Sequence, residues 1–130
     1  MLDRIDIQVM VNENNLSILS KDTNDAYRSD DIRQRVLKLH EAQHDRQGCL
    51  NRHLNVAQIM AIKTLDNDAR KLFNKLIKNR KLSMRVQQKL LRLALTISDW
   101  HETDSIHKQA LTEAVSYRAY DHIHARLTGL

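Results

Sequence analysis

His40-Glu41-Ala42-Gln43-His44 is a stretch whose residue types and spacing spell a catalytic pattern. On a helix, two histidines four residues apart share a face, where they could bind zinc while Glu41 acted as general base. The match is formal. A metalloprotease needs a third protein ligand, and Gly48 and His53 miss the extended metzincin spacing. The expected reading is a solvated helix, with no metal site.

Basic density is the second feature. Arg70, Lys71, Lys75, Lys78, Arg80, Lys81, Arg85, Lys89 and Arg92 occur without an acidic residue between Ala69 and Ser98. This run contains the turn Lys78 to Leu82 between two expected helices. Such a helix-turn-helix could set Lys78, Lys81 and Lys89 on phosphates, although a sequence-specific reader would also need base-contacting residues on its second helix. Two amphipathic helices with solvated basic faces are the plainer reading. Arg4 and Arg85, taken alone, read as surface arginines.

The elements that must position these residues are mostly helical. Proline is absent, where average usage of about 5% would give roughly six, and glycine occurs only at Gly48 and Gly129. Ser29 can cap a helix with a stripe of Ile32, Val36, Leu39 and Gln43, ending near Gln47-Gly48. Asn55 can cap a short helix through Met60. Asp66 can cap another, in which Ala69, Leu72, Phe73, Leu76 and Ile77 share a face. Ser83 starts the strongest one, with Val86, Leu90, Leu93, Ile97 and Trp100 at helical spacing, widened by Leu91 and Ala94. A last helix from about Ser105 carries Ile106, Ala110, Leu111, Ala114 and Val115, and Tyr117 to Leu127 continues or follows it. Ahead of all these, Ile5, Ile7, Val9 and Val11 alternate with Asp6, Gln8 and Met10 in the period of a strand. Asn12 to Arg28 reads as a linker.

A chain of 130 residues suits one modest core, and 21 basic against 16 acidic side chains give a formal charge of +5, compatible with a polyanionic partner. Cys49 is the sole cysteine, so no intrachain disulfide forms and a reducing cytoplasm is expected. No leader-like opening is seen, and Arg92 and Thr96 interrupt the most apolar run, Leu90 to Ile97, so no membrane partner is expected.

Several fragments, in order, resemble a known family. Leu2-Asp3-Arg4-Ile5-Asp6-Ile7 is similar to the L-D-R-I-D-L segment of the magnesium-chelatase-like AAA+ ATPases of the ComM/YifB group. Ile32-Arg33-Gln34-Arg35-Val36, Arg46-Gln47, Asn51 and Leu54 resemble its I-R-x-R-V, R-Q and N-x-x-L elements. Leu82-Ser83-Met84-Arg85 and Thr96-Ile97-Ser98-Asp99 resemble its L-S-x-R and T-I-A-D-L pair, and Ala114-Val115-Ser116-Tyr117-Arg118 its closing A-L-x-Y-R. Departures are Leu95 in place of an arginine, Gln87 and Gln88 in place of an aromatic and basic pair, and Trp100 in place of leucine.

The resemblance implies a carboxy-terminal lid domain, mainly α: a helical bundle over 29–130, preceded by a strand and linker over 1–28 that end the ATPase core. It implies that Arg4 matches the arginine reaching into a neighbouring subunit's site, and that Arg85 matches the second-sensor arginine at the ATP phosphates. The parent would be a cytoplasmic homo-hexameric ATPase acting on DNA, with ATP and Mg bound by the parent and none by this piece. No G-x-x-x-x-G-K-[ST] loop is present, so the chain reads as a fragment inactive alone. The rival expectation is a free-standing basic DNA-binding module.

Overall fold

In the computed structural model, Ile7 and residues 29–117 are described. They divide between two compact units, with the boundary between Leu50 and Asn51.

The first unit contributes helix α1, Ser29–Gln47. Its ends suit the helix dipole, with Asp30 and Asp31 in the first turn and His44 and Arg46 in the last. The helix stops at Gly48, whose φ of +79° is the left-handed conformation that favours glycine, and whose N–H donates to the His44 carbonyl at 2.8 Å. Of the expected stripe, Gln43 is buried, Val36 and Leu39 are half-buried, and Ile32 is exposed, as is Leu37 outside it. Ser29, expected as the cap, is itself a helical residue.

Among the described residues, the second unit is a bundle of four helices introduced by a 3-10 turn, Asn51–His53. Helix α2 spans Val56–Ile62, α3 Asn67–Arg80, α4 Met84–Trp100 and α5 Lys108–Ser116. Three of the four begin where a capping residue was expected. Asn55 accepts from Gln58 N–H while the Gln58 side chain accepts from Asn55 N–H, a full capping box. Asp66 accepts from Ala69 N–H and Ser83 from Val86 N–H. Helix α4 packs against α5, α2 and the 3-10 turn, and α3 packs against α5.

The core is built around α4, on which Leu90, Leu91, Ala94, Leu95, Ile97 and Ser98 are buried. Leu90, Ala94 and Ser98 form one row at i, i+4 spacing and Leu91 and Leu95 the next, with Ile97 beside them, broad enough to face several neighbours at once. Ile59, Ile106 and Leu111 are fully buried with Leu91 and Leu95. Burying each such side chain contributes about 1.5–3 kcal/mol. Leu93 and Trp100, expected on the stripe, are only half-buried, and Leu95 takes the interior place instead.

The last helix starts three residues later than expected. Ile106 pairs with Leu65 in a short parallel bridge: Ile106 N–H donates to the Thr64 carbonyl at 2.9 Å, and Asp66 N–H donates to the Ile106 carbonyl at 3.1 Å. Those bonds hold Ile106 out of the helix, which begins only at Lys108. The mainly α class stands. The strand expected over Ile5 to Val11 falls outside the described residues, apart from Ile7, which is exposed and in no strand. The linker from Asn12 and the stretch after Tyr117 also lie outside them.

Candidate functional site

The basic run folds as expected into two helices joined by a tight turn. Helix α3 ends at Lys81, whose φ of 49° is left-handed, a conformation that costs an L-residue roughly 1–2 kcal/mol. Leu82 follows, with its carbonyl accepting from Gln87 Nε2 at 2.9 Å, and Ser83 caps α4. Arg85 is the second residue of α4 and is exposed, beside Met84, which is 69% exposed. The first turn of α4 holds no acidic residue. The backbone N–H groups at this helix start carry the partial positive end of the helix dipole, close to Arg85. Lys78 and Lys81 are exposed, whereas Lys89 is half-buried.

Arg92 departs from the solvated basic face. Its Nε donates to the Leu54 carbonyl at 2.7 Å, and Gln88 Nε2 donates to the same oxygen at 3.2 Å. Both side chains satisfy the backbone at the exit of the 3-10 turn, so their work is structural.

The other end of α4 gathers a second set of polar groups. Asp99 Oδ1 accepts from Lys63 Nζ at 2.9 Å, and Asp99 Oδ2 accepts from Asn51 Nδ2 at 2.8 Å. Asn51 Nδ2 also reaches Thr96 Oγ1 at 3.1 Å. Lys63 Nζ donates to Ser98 Oγ at 3.2 Å, which lies 2.6 Å from Thr103 Oγ1, and that hydroxyl donates to the Ser105 carbonyl at 2.9 Å. The Lys63 and Asp99 side chains are only 13% and 6% exposed, so this is a nearly dry ion pair whose remaining bonding capacity is filled by amide and hydroxyl groups. The network ties the 3-10 turn, the end of α2 and the α4–α5 loop to one carboxylate. Sequence reasoning singled out Asn51, Thr96, Ser98 and Asp99 but missed Lys63 and Thr103, which sit in loops without a periodic pattern.

Asp66 joins two loops. Its Oδ1 caps α3 at Ala69 N–H, 2.7 Å away, and its Oδ2 lies 2.8 Å from His107 Nδ1 at the start of α5. The Ala69 N–H and then the His107 imidazole hold the carboxyl below its ordinary range. His107 turns toward Asp66 and makes no side-chain cap bond to its own helix. At the close of α5, burial and then the Glu113 carboxylate push the Tyr117 hydroxyl up.

On α1, His40, Glu41 and His44 are all exposed. Among the described residues no three His, Cys, Asp or Glu side chains come together as a metal-binding group. Arg4 lies outside the described residues. None of the described helices is long and apolar enough to cross a membrane.

Residues 26–118 match the family described as magnesium chelatase, subunit ChlI C-terminal. The chain belongs to this family. Within the ChlI C-terminal family it is similar to the uncharacterized protein YifB of Salmonella typhimurium, 35% identical over 122 residues that cover 94% of this chain and 24% of that protein. YifB of Escherichia coli shows the same identity and coverage. The competence protein ComM of Haemophilus influenzae is 32% identical over 133 residues, covering 99% of this chain and 25% of ComM. The chain thus spans about a quarter of the length of the curated relatives it matches.

Proposed function

We propose that this ChlI C-terminal chain is the lid and interaction domain of an ATP-dependent ring motor acting on DNA, inactive when isolated. In this reading residues 1–28 end the ATPase core and 29–130 form the lid. The observation that carries it is the place of Arg85: exposed, in the first turn of a capped helix whose own first turn holds no acidic residue. A guanidinium so held suits a nucleotide phosphate, where it stabilises charge on the transferred phosphoryl. Arg4 supplies the corresponding charge in trans from the neighbouring subunit of a homo-hexamer. In this reading the remainder of the longer protein supplies the Mg ligands and the phosphate loop, and Arg85 of this chain faces the ATP phosphates. A cytoplasmic setting fits the single cysteine.

The test compares this chain with the full-length protein. The chain alone hydrolyses no ATP, and full-length protein bearing Arg4→Ala loses turnover while still binding nucleotide. Motor-like hydrolysis by the chain alone, or an Arg4→Ala protein with undiminished turnover, would overturn the reading.

The exposed basic turn favours a second reading, a basic helical DNA-binding module. Of its three lysines, Lys78 and Lys81 are exposed and Lys89 is half-buried, so phosphate contact falls chiefly to the first two. Salt-sensitive DNA binding by the chain, without any dependence of full-length turnover on Arg85, would select it.

A further inference from the structure

Helix α3 presents a basic outer face that extends well beyond the turn. Its inner side is set by Ala69 and Phe73, both buried, with Leu72, Leu76 and Ile77 half-buried beside them. At 3.6 residues per turn, Lys71 and Lys78 lie about 180° around the helix from Ala69, with Lys75 flanking them. Asn67, Lys71, Asn74 and Lys78 follow one another at spacings of four, three and four residues, which is a straight line along the helix. All five of these polar side chains are exposed. Asp68, in the first turn, is the acidic residue of the helix, and among the described residues none of the three lysines forms an ion pair.

Helix α4 is a poor candidate for a groove-reading helix. Its broad face is buried, Arg92 and Gln88 are bound to the Leu54 carbonyl, and Lys89 is half-buried. Few of its polar groups remain to meet base edges, which is what sequence readout requires.

We infer that the outer face of α3 is a track for the phosphodiester backbone of DNA, held by Lys71, Lys75 and Lys78 with Asn67 and Asn74 between them, and that it binds without reading sequence. The inference rests on the DNA part of the proposed function and moves the contact from the turn to the helix. Lys71 to Lys78 spans about 10 Å along the axis. Over that length duplex DNA presents about six phosphate charges, enough to face all three ammonium groups. The asparagine amides lie between the lysines and can donate to phosphate oxygens.

The experiment is fluorescence anisotropy of the full 130-residue chain with two labelled duplexes of unrelated sequence, across a salt series. The wild type binds both duplexes alike. The triple substitution Lys71→Gln, Lys75→Gln, Lys78→Gln weakens binding at least about tenfold and flattens the log affinity against log salt slope by about 2–3, with each single substitution removing about 1. Glutamine is a good helix former, so α3 is retained, which a thermal melt checks. Lys108→Gln, on the exposed side of α5, leaves affinity unchanged.

Four results would each overturn the inference: no DNA binding by the wild type at low salt, full affinity in the triple variant, strong preference for one duplex, or equal competition by polyglutamate. The last would point to an acidic protein surface as the occupant. Any of these leaves the ATP reading intact, because that stands on Arg4 and Arg85 turnover measurements.

Discussion

The two ends of α4 both carry family-like fragments, yet they are built in opposite ways. At the carboxy-terminal end, Thr96, Ser98 and Asp99 are bonded to partners on three other segments, and the carboxylate is nearly dry. At the amino-terminal end, Ser83 caps the helix while Met84 and Arg85 stand exposed. The difference teaches that one family-like fragment can be locked into the packing while another on the same helix stays at the surface. Arg85 is exposed at a capped helix start, and the proposed phosphate role rests on that position. A buried aspartate satisfied by lysine and asparagine is explained by the fold itself.

Breaking the buried end should have the largest effect. Asp99→Ala leaves Lys63 charged and uncompensated, and should destabilise the chain by about 3–5 kcal/mol in urea denaturation. Adding Lys63→Met to Asp99→Leu should recover much of that loss, because the desolvated charge is then removed from both sides. A purely apolar cavity at the same helix should come next. Leu95→Ala, at a side chain with no exposed surface, should cost about 3 kcal/mol, with the spread set by how far the bundle relaxes into the void.

Asp66 tests the seam between the α2–α3 and α4–α5 loops. Removing its cap in Asp66→Ala should cost about 1 kcal/mol near neutral pH. Because the folded carboxyl is held below its ordinary value of 3.8, its contribution is complete above that value and is lost as pH falls through the lowered one. The wild type should therefore weaken on acidification below about pH 4 more steeply than Asp66→Ala, as followed by denaturation at a series of pH values. The smallest effect belongs to the turn. Lys81→Gly relieves a left-handed residue and should raise stability by about 0.5–1 kcal/mol, and a decrease would mean that the lysine side chain holds the turn.

Much of this fold is legible in the sequence because each cue is local. Asn55, Asp66 and Ser83 cap helices through bonds three residues away, and α3 and α4 bury faces whose period can be counted. The start of α5 could not be read in this way. Ile106 is kept extended by Thr64 and Asp66, 42 and 40 positions earlier, and no local pattern announces such a bridge. Lys63 was missed for the same reason, since it meets Asp99 only through tertiary packing, while Thr103 meets Ser98 across an irregular loop that has no periodic pattern. Leu95 was treated as a departure from the family's arginine, yet it is a fully buried core residue. The candidate site was legible in part: the capped position of Arg85 follows from Ser83, whereas the outward row on α3 was passed over in favour of the turn, although the apolar face opposite it could be counted.

The most direct test of the account is Arg85→Ala, read for stability in this chain and for ATP turnover in the full-length protein. An exposed side chain at a helix start should shift stability by no more than about 0.5 kcal/mol. Turnover should fall at least about tenfold if the guanidinium stabilises the transferred phosphoryl. A variant with unchanged turnover, or one whose turnover falls only because the bundle unfolds, would contradict the role assigned to this end of α4.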